Sequence, residues 1–492
     1  MNRSISHILN YFHLRFFLLV ILLSNTLASF AQLTGIKNIP GDYVDLASAI
    51  SDLNASGVGS GGVTLNLLPG NPQISIAGGY VISAEGSISD NIIIQGNGNV
   101  ITAFTPQTIG NINDAIFKLI GGDWITLKDF ILQENLLNII PVENSNTMTE
   151  WGIALLYTSV TNGSQHNSIL NNTISLNRSY ANTFGIYSNT RHSANNVITN
   201  DDIQNGTTAP NSYNKIYGNN ISNVNMGIAF IGAGNPFGGN AFADSGNDIG
   251  GTSITTGNTF TNWGGAAAIS GYVSNSFSSY CILLHNQISE NVSFNSLTSA
   301  SVVPTTSFRG ILREHSAASN GFFTSNINNN SITMTSGQTS GAFTCIDVKA
   351  ITLNMTINVN DNVIQNCAIT GSTSSSSMIG IANQSHITSF SANRNIFINN
   401  ISSSTTGGFY GIYNQGNVTS SINMNNNQVG NNNGGAITFT DANSDYSIFI
   451  YNTGGTETTT LNMNGNNFQG ITYNVTSGAN NIYLANTVKR RT

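Results

Sequence analysis

The densest group of ionisable side chains in this 492-residue sequence lies in the segment Ser-Phe-Arg-Gly-Ile-Leu-Arg-Glu-His. It contains Arg309, Arg313, Glu314 and His315. Such a group could bind an anionic ligand through Arg313 and use Glu314 or His315 as a general acid or base. We favour the alternative, a solvated loop with an Arg–Glu pair, because adjacent residues on a strand point to opposite faces.

Three aromatic side chains, Trp263, Tyr187 and Tyr413, are candidates for stacking on a ring-shaped ligand. Tyr187 and Tyr413 each follow an Ile in a Gly-Ile-Tyr segment. A strand that buries this Ile turns the next side chain outward. The alternative is that these rings pack within or between structural elements.

The sequence offers no metal or cofactor site. A calcium site needs several carboxylates on neighbouring elements, whereas Asp201, Asp202 and Asp361 have no acidic partners at strand spacing. Cys281, Cys345 and Cys367 match no zinc pattern and lie in apolar segments, which predicts buried thiols. A Cys345–Cys367 disulfide is left open.

Composition disfavours two classes of protein, nucleic-acid-binding proteins and disordered chains. Charged residues make up 8% of the chain, against roughly a quarter in an average soluble protein. The net charge is −7 and the one basic run is Lys489-Arg490-Arg491, which disfavours nucleic-acid binding. The 39% hydrophobic residues alternate with polar ones over many short segments, which disfavours disorder and indicates half-buried strands.

The first 31 residues are typical of an export signal. Arg3 and Arg15 precede the apolar run 16–23, and small residues up to Ala31 predict cleavage before Gln32. The apolar run is shorter than the roughly 20 residues that a membrane span needs, so a membrane anchor is the less favoured alternative.

One phrase recurs along the chain: apolar, any, apolar, any, any, Asn, any, apolar. The first part is typical of a strand with one buried face, and Asn can end it because Asn tolerates left-handed backbone. Asn side chains at the same turn of successive coils could hydrogen-bond to each other as a ladder. The predicted ladder contains Asn172, Asn219, Asn258, Asn286, Asn330, Asn362, Asn395, Asn427 and Asn466.

A second phrase, Gly-Ile-x, recurs between the copies of the first phrase. It begins at Gly185, Gly227, Gly310, Gly380 and Gly411. Two or three short strands per repeat of about thirty residues, without helical periodicity, predict a solenoid of stacked coils. A β-propeller is the main alternative, but its blade motifs are absent.

We therefore predict an all-β fold, a single-stranded right-handed parallel β-helix with a short N-terminal capping helix. Asp42 can cap a short helix whose apolar residues recur on one face, namely Val44, Leu46, Ala47, Ile50 and Leu53. The predicted divisions are a signal peptide at 1–31, a cap at 32–60, the β-helix at 61–485 and a polar tail at 486–492.

Three segments give the chain a resemblance to a known family. They are 41–50, Gly-Asp-Tyr-Val-Asp-Leu-Ala-Ser-Ala-Ile; 61–66, Gly-Gly-Val-Thr-Leu-Asn; and 123–130, Asp-Trp-Ile-Thr-Leu-Lys-Asp-Phe. The chain resembles the pectin-lyase-like right-handed β-helix proteins that bacteria export, in particular cell-surface proteins of Bacteroidota-type bacteria. The resemblance implies an extracellular or surface location. Many members of this family act on polysaccharides.

The leading functional hypothesis is a non-catalytic role in adhesion, glycan binding or structure. The Gly-His-Gly and Arg-x-Lys motifs of pectin-hydrolysing relatives are absent, so enzyme status is left uncertain and leans towards no activity. The alternative is an atypical polysaccharide lyase or glycoside hydrolase, supported mainly by analogy of fold. A third hypothesis, ice binding, is raised by Thr-rich segments such as Thr458-Thr459-Thr460, but it would need rows of Thr on a flat face, and the sequence shows none at constant register. We expect an extracellular polysaccharide or cell-surface glycan as partner, no membrane span in the mature chain, and leave the oligomeric state open.

Overall fold

The computed structural model describes residues 31–109, 113–142, 145–159, 161–193, 210–232, 243–265, 278–303, 307–315, 321–350, 354–473 and 481–487. Within these ranges one α-helix, α1 at Leu46–Ser56, accompanies short β-strands. The predicted export signal lies almost wholly outside the described residues and stays a prediction.

The strands form three long parallel sheets, which we name A, B and C in the order in which the chain visits them. Sheet A contains, in stacking order, Leu33–Ile39, Val58–Leu67, Ile92–Gln95, Ile125–Lys128, Ser168–Leu170, Lys215–Tyr217, Asp248–Ile249, Asn291–Ser293, Phe323–Asn328, Met355–Asn358, Ile387–Ser391, Val418–Asn423 and Thr460–Asn462.

Sheet B contains Gln73–Ile74, Val100–Thr102, Ile131–Gln133, Thr173–Ser175, Asn220–Ser222, Thr259–Trp263, Ser296–Val302, Ser331–Ser336, Val363–Gln365, Ile396–Ile398, Gln428–Val429 and Asn467–Phe468, with a side branch of Ala368–Ile369, Asn400–Ser402, Ile437–Phe439 and Ile471–Tyr473. Sheet C contains Tyr80–Ile82, Ala115–Ile120, Trp151–Tyr157, Phe184–Ser193, Met226–Ile231, Ser278–His285, Ser307–His315, Phe343–Ala350, Met378–Asn383, Phe409–Asn414, Ser447–Asn452 and Ile482–Thr487. A separate parallel pair joins Asp244–Ser245 to Gln287–Ile288.

This order of strands is that of a right-handed parallel β-helix, and it confirms the predicted fold. From Val58–Leu67 onward the chain passes through sheets A, B and C in turn once per coil, apart from the side branch of sheet B and the separate pair. Each of these strands pairs in parallel with its counterpart one coil further along. The right-handed sense is the one that parallel crossover connections adopt. Neighbouring coils are therefore held by backbone hydrogen bonds at about 4.8 Å spacing.

The second sequence phrase forms sheet C, and its Ile residues build the core. Nine fully buried Ile side chains stack in register at positions 153, 186, 228, 282, 311, 346, 381, 412 and 450. The preceding Gly is required by close packing: a Cβ on Gly227 would lie 2.5 Å from Phe260 Cδ1 and 2.9 Å from the carbonyl oxygen of Cys281. The Gly-Ile-x phrase thus marks the strand that packs most tightly against the core.

At the corner between sheets A and B, Asn side chains form a continuous hydrogen-bonded column. Each backbone N–H donates to the Oδ1 of the Asn one coil on at 2.9–3.1 Å. Each Nδ2 donates to the same Oδ1 at 2.9–3.2 Å. The Asn column, as we call it, consists of Asn172, Asn219, Asn258, Asn295, Asn330, Asn362, Asn395, Asn427 and Asn466.

Two details of the predicted ladder were wrong. Asn286 is not a member, because its copy of the phrase lies at the end of the sheet C strand Ser278–His285, and Asn295 occupies the column between Asn258 and Asn330. The column Asn is also not the left-handed residue. That conformation belongs to the preceding residue, for example Asn329 with φ 57° and Arg394 with φ 55°. Hydrogen bonding, and not backbone conformation, selects Asn in the column.

Helix α1 differs from its prediction by three residues at its start. Asp45 is the N-cap, and its Oδ1 accepts a hydrogen bond from Ser48 N at 2.7 Å. Asp42 instead accepts a hydrogen bond from Asn38 N, and Val44 is 82% exposed because it precedes the helix. Leu46, Ala49, Ile50 and Leu53 are buried against the first coils, so α1 contributes one apolar face to the core.

The three cysteines are free and fully buried. Cys281 and Cys345 lie on sheet C, and Cys367 directly precedes the side branch of sheet B. The Sγ atoms of Cys345 and Cys367 are 3.8 Å apart. Burial raises the pKa of the Cys281 thiol, which makes it inert as a nucleophile at neutral pH.

Candidate functional site

The ionisable segment is a strand and not the loop that we favoured from the sequence. Ser307–His315 runs through the middle of sheet C, so its side chains alternate between the interior and the outer face. Arg313 stacks in register between Leu284 and Val348, both of which are core residues. His315 is also buried, at 3% exposure. The four predicted residues therefore do not converge on one accessible site.

Arg313 forms an ion pair inside the β-helix. Its Nε lies 2.9 Å from Glu290 Oε1, and its Nη2 donates to the carbonyl oxygen of Gln287 at 2.9 Å. Ser325 Oγ donates to the same Glu290 Oε1 at 2.6 Å. The Arg313 and Glu290 side chains are 0% and 1% exposed. Arg313 cannot contact a ligand, so its predicted role in binding an anion is wrong.

The outward residues of the same strand are also ion-paired. Arg309 Nε lies 2.6 Å from Asp347 Oδ2. Glu314 lies between two basic groups, with His285 Nδ1 at 3.7 Å and Lys349 Nζ at 3.8 Å. Lys349 also lies 3.5 Å from Asp347. These pairs join three adjacent coils, and they explain how a β-helix with little charge accommodates so many charged groups at one level.

A buried acidic cluster near the N-terminal end was not found from the sequence. Glu150 accepts hydrogen bonds from Asp114 N at 2.7 Å and from Asn146 Nδ2 at 2.8 Å. Glu134 accepts from Thr149 N at 2.9 Å. Burial raises the pKa of Asp114 to about 6 and the pKa of Glu150 well above its usual range.

This cluster holds a loop in place and does not form an open site. Asp114 and Glu150 each directly precede a sheet C strand and are 36 residues apart, about one coil. The sequence signal that could have revealed the cluster is that both acids occupy the same position in successive coils. Lys118 Nζ donates to the carbonyl oxygen of Asn113 at 2.8 Å, which places a positive charge near the acids. Among the described residues, no group of three or more His, Cys, Asp or Glu side chains has the arrangement of a metal site.

A second buried acid, Asp244, lies at the corner between sheets C and A. Its Oδ1 accepts a hydrogen bond from Asn211 N at 2.8 Å, and its Oδ2 accepts one from Gln287 Nε2 at 3.1 Å. Complete burial raises the pKa of Asp244 to about 7. Asp244 is fully buried among the described residues and hydrogen-bonded to amides of neighbouring coils, an arrangement that stabilises the corner.

Two of the three aromatic candidates are buried. Trp263 is 0% exposed and packs on Phe308 in the core, with ring centroids 5.0 Å apart. Tyr187 points outward as predicted from Ile186, but it is also 0% exposed and stacks on Trp151 at 4.7 Å. Neither ring is available for stacking on a sugar. The sequence did not reveal this because the outer face of sheet C carries a second apolar cluster of its own.

Tyr413 is different, because it belongs to a partly exposed group of tyrosines on the outer face of sheet C. Tyr413 and Tyr451 are in register on adjacent coils, and their rings stack with centroids 4.8 Å apart and planes 14° apart. Tyr410 stacks on Tyr413 at 5.1 Å. Burial, followed by the nearby charge of Asp445, raises the pKa of Tyr410 to about 12, so the phenol is neutral. We refer to Tyr410, Tyr413 and Tyr451 as the tyrosine cluster.

A groove of about 470 Å³ adjoins the tyrosine cluster. Three successive loops that follow sheet C strands form it, and Gln415 Nε2, on one of these loops, donates a hydrogen bond to the Tyr413 hydroxyl. The groove has a size typical of ligand sites. Its lining consists of His386, Gln415, Gly416, Asn417, Thr453, Gly454, Gly455, Thr456, Glu457 and Thr458.

A row of buried Asn side chains fixes the bases of these loops. Asn383 Nδ2 donates to Asn414 Oδ1 and Asn414 Nδ2 donates to Asn452 Oδ1, both at 2.6 Å. Each of the three is the last residue of its sheet C strand. The loops therefore start from a rigid edge, which positions the groove relative to the tyrosine cluster. We call the cluster and the groove together the tyrosine site.

Ice binding would require rows of Thr in register on a flat face, and in the described part of the chain a row of three, Thr261, Thr298 and Thr333, lies on sheet B. On the outer face of sheet A, Thr324, Thr356, Ser389, Ser421 and Thr460 stack in register. Three of these five are Thr. Thr458, part of the Thr run that suggested the hypothesis, lies in the groove and not on this face.

Comparisons with known proteins give weak likenesses. No family model and no curated protein matches the sequence. Eleven solved chains resemble the fold, and they include the following three. A mannuronic acid specific polysaccharide family 6 lyase from human gut microbiota is 11% identical, with 87% of this chain and 82% of that chain covered and a TM-score of 0.38. The periplasmic alginate epimerase AlgG is 10% identical, with 92% and 84% covered and a TM-score of 0.33.

The third structure is PfbA, a surface adhesin of Streptococcus pneumoniae, which is 10% identical, with 86% of each chain covered and a TM-score of 0.24. No helix among the described residues is both long and apolar enough to cross a membrane. The sheet order of the chain itself determines its architecture, and by that order the chain is a right-handed parallel β-helix.

Proposed function

We propose that this chain is an exported, non-catalytic β-helix protein that binds a glycan at the tyrosine site. The observation that supports the proposal is the adjacency of three stacked, partly exposed tyrosines and a groove lined by amides, hydroxyls and Gly backbone. Aromatic rings pack on the apolar faces of sugar rings, and amides and hydroxyls hydrogen-bond the sugar hydroxyls. The two halves of the site thus match the two kinds of surface on a sugar.

The rigidity of the site favours binding. The tyrosines lie on sheet C strands, and register fixes the distance between Tyr413 and Tyr451. Side chains held by neighbours lose little conformational freedom when a ligand arrives, so less of the contact energy is lost to ordering. The conformational entropy that is lost on binding then comes mainly from the flexible glycan chain.

A catalytic role has weaker support. Glycoside hydrolysis normally needs two carboxyl groups on opposite sides of the scissile bond, and Glu457 is the one carboxylate among the residues that line the groove. Of the four residues suggested from the sequence, Arg313 and His315 are buried in the interior, and Arg309 and Glu314 are ion-paired on the outer face. The enzyme alternative, an atypical polysaccharide lyase or hydrolase, predicts release of reducing or unsaturated sugars that Glu457→Gln would abolish.

Export is part of the same proposal. Residues 1–31 have the sequence pattern of a signal peptide with cleavage between Ala31 and Gln32. A glycan-binding surface is useful outside the cell or on its surface, where polysaccharides are found. Mass spectrometry of the N-terminus of the chain recovered from culture medium or cell envelope tests this part, and an uncleaved Met1 terminus would contradict it.

The test of binding is a glycan array probed with the purified chain and with Tyr413→Ala. Loss of one stacked ring removes about 0.5–1.5 kcal/mol, so we expect the dissociation constant to rise about two- to twelvefold. Tyr213→Ala is the matched control. Tyr213 is 48% exposed and lies two residues before the sheet A strand Lys215–Tyr217, away from the tyrosine site. Equal effects of the two substitutions, or no binding to any glycan, would refute the proposal.

A further inference from the structure

Two of the three thiols of this chain meet inside the β-helix. The Sγ atoms of Cys345 and Cys367 are 3.8 Å apart, and both side chains are 0% exposed. Cys345 lies on the sheet C strand Phe343–Ala350, and Cys367 directly precedes Ala368–Ile369, the first strand of the sheet B side branch. The two sulfur atoms therefore touch across the interior, between two different sheets.

Cys345 occupies the place that Gly takes in the Gly-Ile-x phrase. It lies in register between Gly310 and Gly380 on the neighbouring coils of sheet C. A Cβ on Gly310 would lie 3.1 Å from the Sδ atom of Met334, which is a sheet B residue. A side chain at this place therefore points towards sheet B, and the side chain of Cys345 meets Cys367 there.

Cys367 also differs from the residues next to it along sheet B. It precedes Ala368, and the register of the side branch places it between Met334 and Asn400. Its backbone N–H donates to Asn400 Oδ1 at 3.0 Å. The two places that face each other across the interior thus both carry Cys in this coil, whereas other residues occupy them in the coils before and after.

The third thiol, Cys281, lies two coils away from this pair. Cys281 also takes the Gly place on sheet C, but Gly310 lies between it and Cys345 in register. Two coils span about 9.6 Å, which exceeds the roughly 7 Å between Cα atoms that a disulfide allows. On sheet B the place that faces Cys281 is occupied by Ala300, which is in register with Met334.

We propose that Cys345 and Cys367 form a disulfide while the exported chain folds, and that this bond joins sheet C to sheet B across the interior. Disulfides form and persist outside the cytoplasm, so the bond rests on the export that is part of the proposed function. The thiolate of one cysteine attacks the disulfide of an oxidised dithiol oxidoreductase, and the thiolate of the other displaces the oxidoreductase from the mixed disulfide. The two electrons and the two thiol protons pass to the oxidoreductase, which leaves as a dithiol.

The bond must form before the coil closes. Both thiols are completely buried in the folded chain, and the hydrogen bond with Cys367, followed by burial, raises the pKa of the Cys345 thiol. The thiolate is the nucleophile in disulfide exchange, so the folded thiols react slowly. Chain that has folded with reduced thiols should therefore resist an oxidant that joins the same cysteines during refolding.

Peptide mapping identifies the bond. The full chain is unfolded in urea with reduced thiols and refolded in a glutathione redox buffer, its remaining thiols are blocked with N-ethylmaleimide, and it is digested without reduction. Trypsin places the three cysteines in separate peptides, 216–309, 314–349 and 350–394. We expect the second and third peptides to be joined and the first to carry the blocking group. Three blocked thiols, or a bond that includes Cys281, would overturn the inference.

Urea unfolding with and without dithiothreitol gives an independent readout. Dithiothreitol should raise the unfolding equilibrium constant of the oxidised chain on the order of a hundredfold, because the bond closes a loop between residues 22 positions apart. Cys345→Ala should abolish this effect. Cys281→Ala is the matched control, because it removes a buried thiol from the same place in another coil, and it should keep the effect. An oxidised chain that is insensitive to dithiothreitol, or an effect that persists in Cys345→Ala, would contradict the inference.

The inference and the proposed function fail in different ways. Chain recovered from the medium or the cell envelope of an exporting host should contain the joined peptides and begin at Gln32. Free thiols in such processed chain would overturn the inference and leave export intact. Chain that retains Met1 would overturn both, because the bond depends on export. Glycan binding at the tyrosine site is tested separately, by Tyr413→Ala.

Discussion

The Asn column makes a prediction that separates two explanations for a repeated Asn. Asn329 and Asn330 are adjacent, but Asn329 has left-handed backbone with φ 57° and is exposed, whereas Asn330 is buried in the column. If the repeat requires Asn for backbone conformation, Gly should be accepted at the column position. If it requires the amide, Gly should be accepted only at position 329.

The magnitude follows from the hydrogen bonds of Asn330. Its Nδ2 donates to the Val292 carbonyl oxygen at 2.9 Å and to Asn362 Oδ1 at 3.0 Å, and its Oδ1 accepts from Asn295 N at 3.0 Å. Asn330→Gly removes the partner of two buried backbone groups, at about 1–3 kcal/mol each. Backbone entropy adds about 0.5–1 kcal/mol. We expect a total loss of about 2.5–7 kcal/mol in the free energy of unfolding.

Asn329→Gly is the matched control. Gly removes the left-handed strain of a non-Gly residue, about 1 kcal/mol, and this offsets the entropy that Gly gains in the unfolded chain. We therefore expect the unfolding free energy to change by less than about 1 kcal/mol. Asn330→Asp is a third variant: it keeps the shape and loses the donor, so it should resemble Asn330→Gly.

The assay is urea unfolding followed by far-ultraviolet circular dichroism. Amide hydrogen exchange of peptides that contain Asn295 and Asn362 provides a local measure, because long repeat proteins can unfold in parts. Faster exchange should be concentrated in the coils next to the substitution. Equal losses for Asn329→Gly and Asn330→Gly, or a loss below about 1 kcal/mol for Asn330→Gly, would refute the hydrogen-bonding explanation.

Three further predictions concern the buried groups. The folded-state pKa of Asp244 is about 7, against an ordinary value of 3.8. Its protonated form therefore adds to the free energy of unfolding, and this contribution is fully present below about pH 4 and is lost as pH rises to 7. Relative to the original chain, the free energy of unfolding of Asp244→Asn should therefore rise by up to about 4 kcal/mol between pH 4 and pH 7. Urea unfolding across that range measures this difference, and a difference independent of pH would contradict the prediction. Arg313→Met should cost about 3–5 kcal/mol because it leaves Glu290 charged and buried, and the double variant with Glu290→Gln should recover much of the loss in the same unfolding assay. If the double variant is no more stable than the single one, the ion pair is not the cause. Gly227→Ala should lower the unfolding free energy by about 1–3 kcal/mol, since the new Cβ would lie 2.5 Å from Phe260 Cδ1, and an unchanged urea midpoint would show that the coil can relax.

The sequence determined the architecture because successive coils of the β-helix carry the same short sequence patterns. The apolar-x-apolar phrase with Asn predicted sheet A and its corner, and the Gly-Ile-x phrase predicted sheet C. Each coil must satisfy the same packing and hydrogen-bonding conditions as its neighbours, so the same residue types return at the same place. Asn286 shows where prediction from the sequence ends, because a sheet C strand can match the phrase that is typical of sheet A. Only the hydrogen bonds to Asn258 and Asn330 identified Asn295 as the member of the Asn column.

The location of charged and aromatic side chains was decided by tertiary structure. Arg313 and Glu290 are 23 residues apart in sequence and form an ion pair in the interior, so no local pattern distinguishes Arg313 from a surface Arg. Tyr187 and Tyr413 share the same Gly-Ile-Tyr context, yet Tyr187 is fully buried and Tyr413 lies beside a groove. The sequence specifies which way a strand side chain points, since that depends on alternation within the strand. Whether it meets solvent depends on what neighbouring coils place next to it, and that is a property of the folded chain.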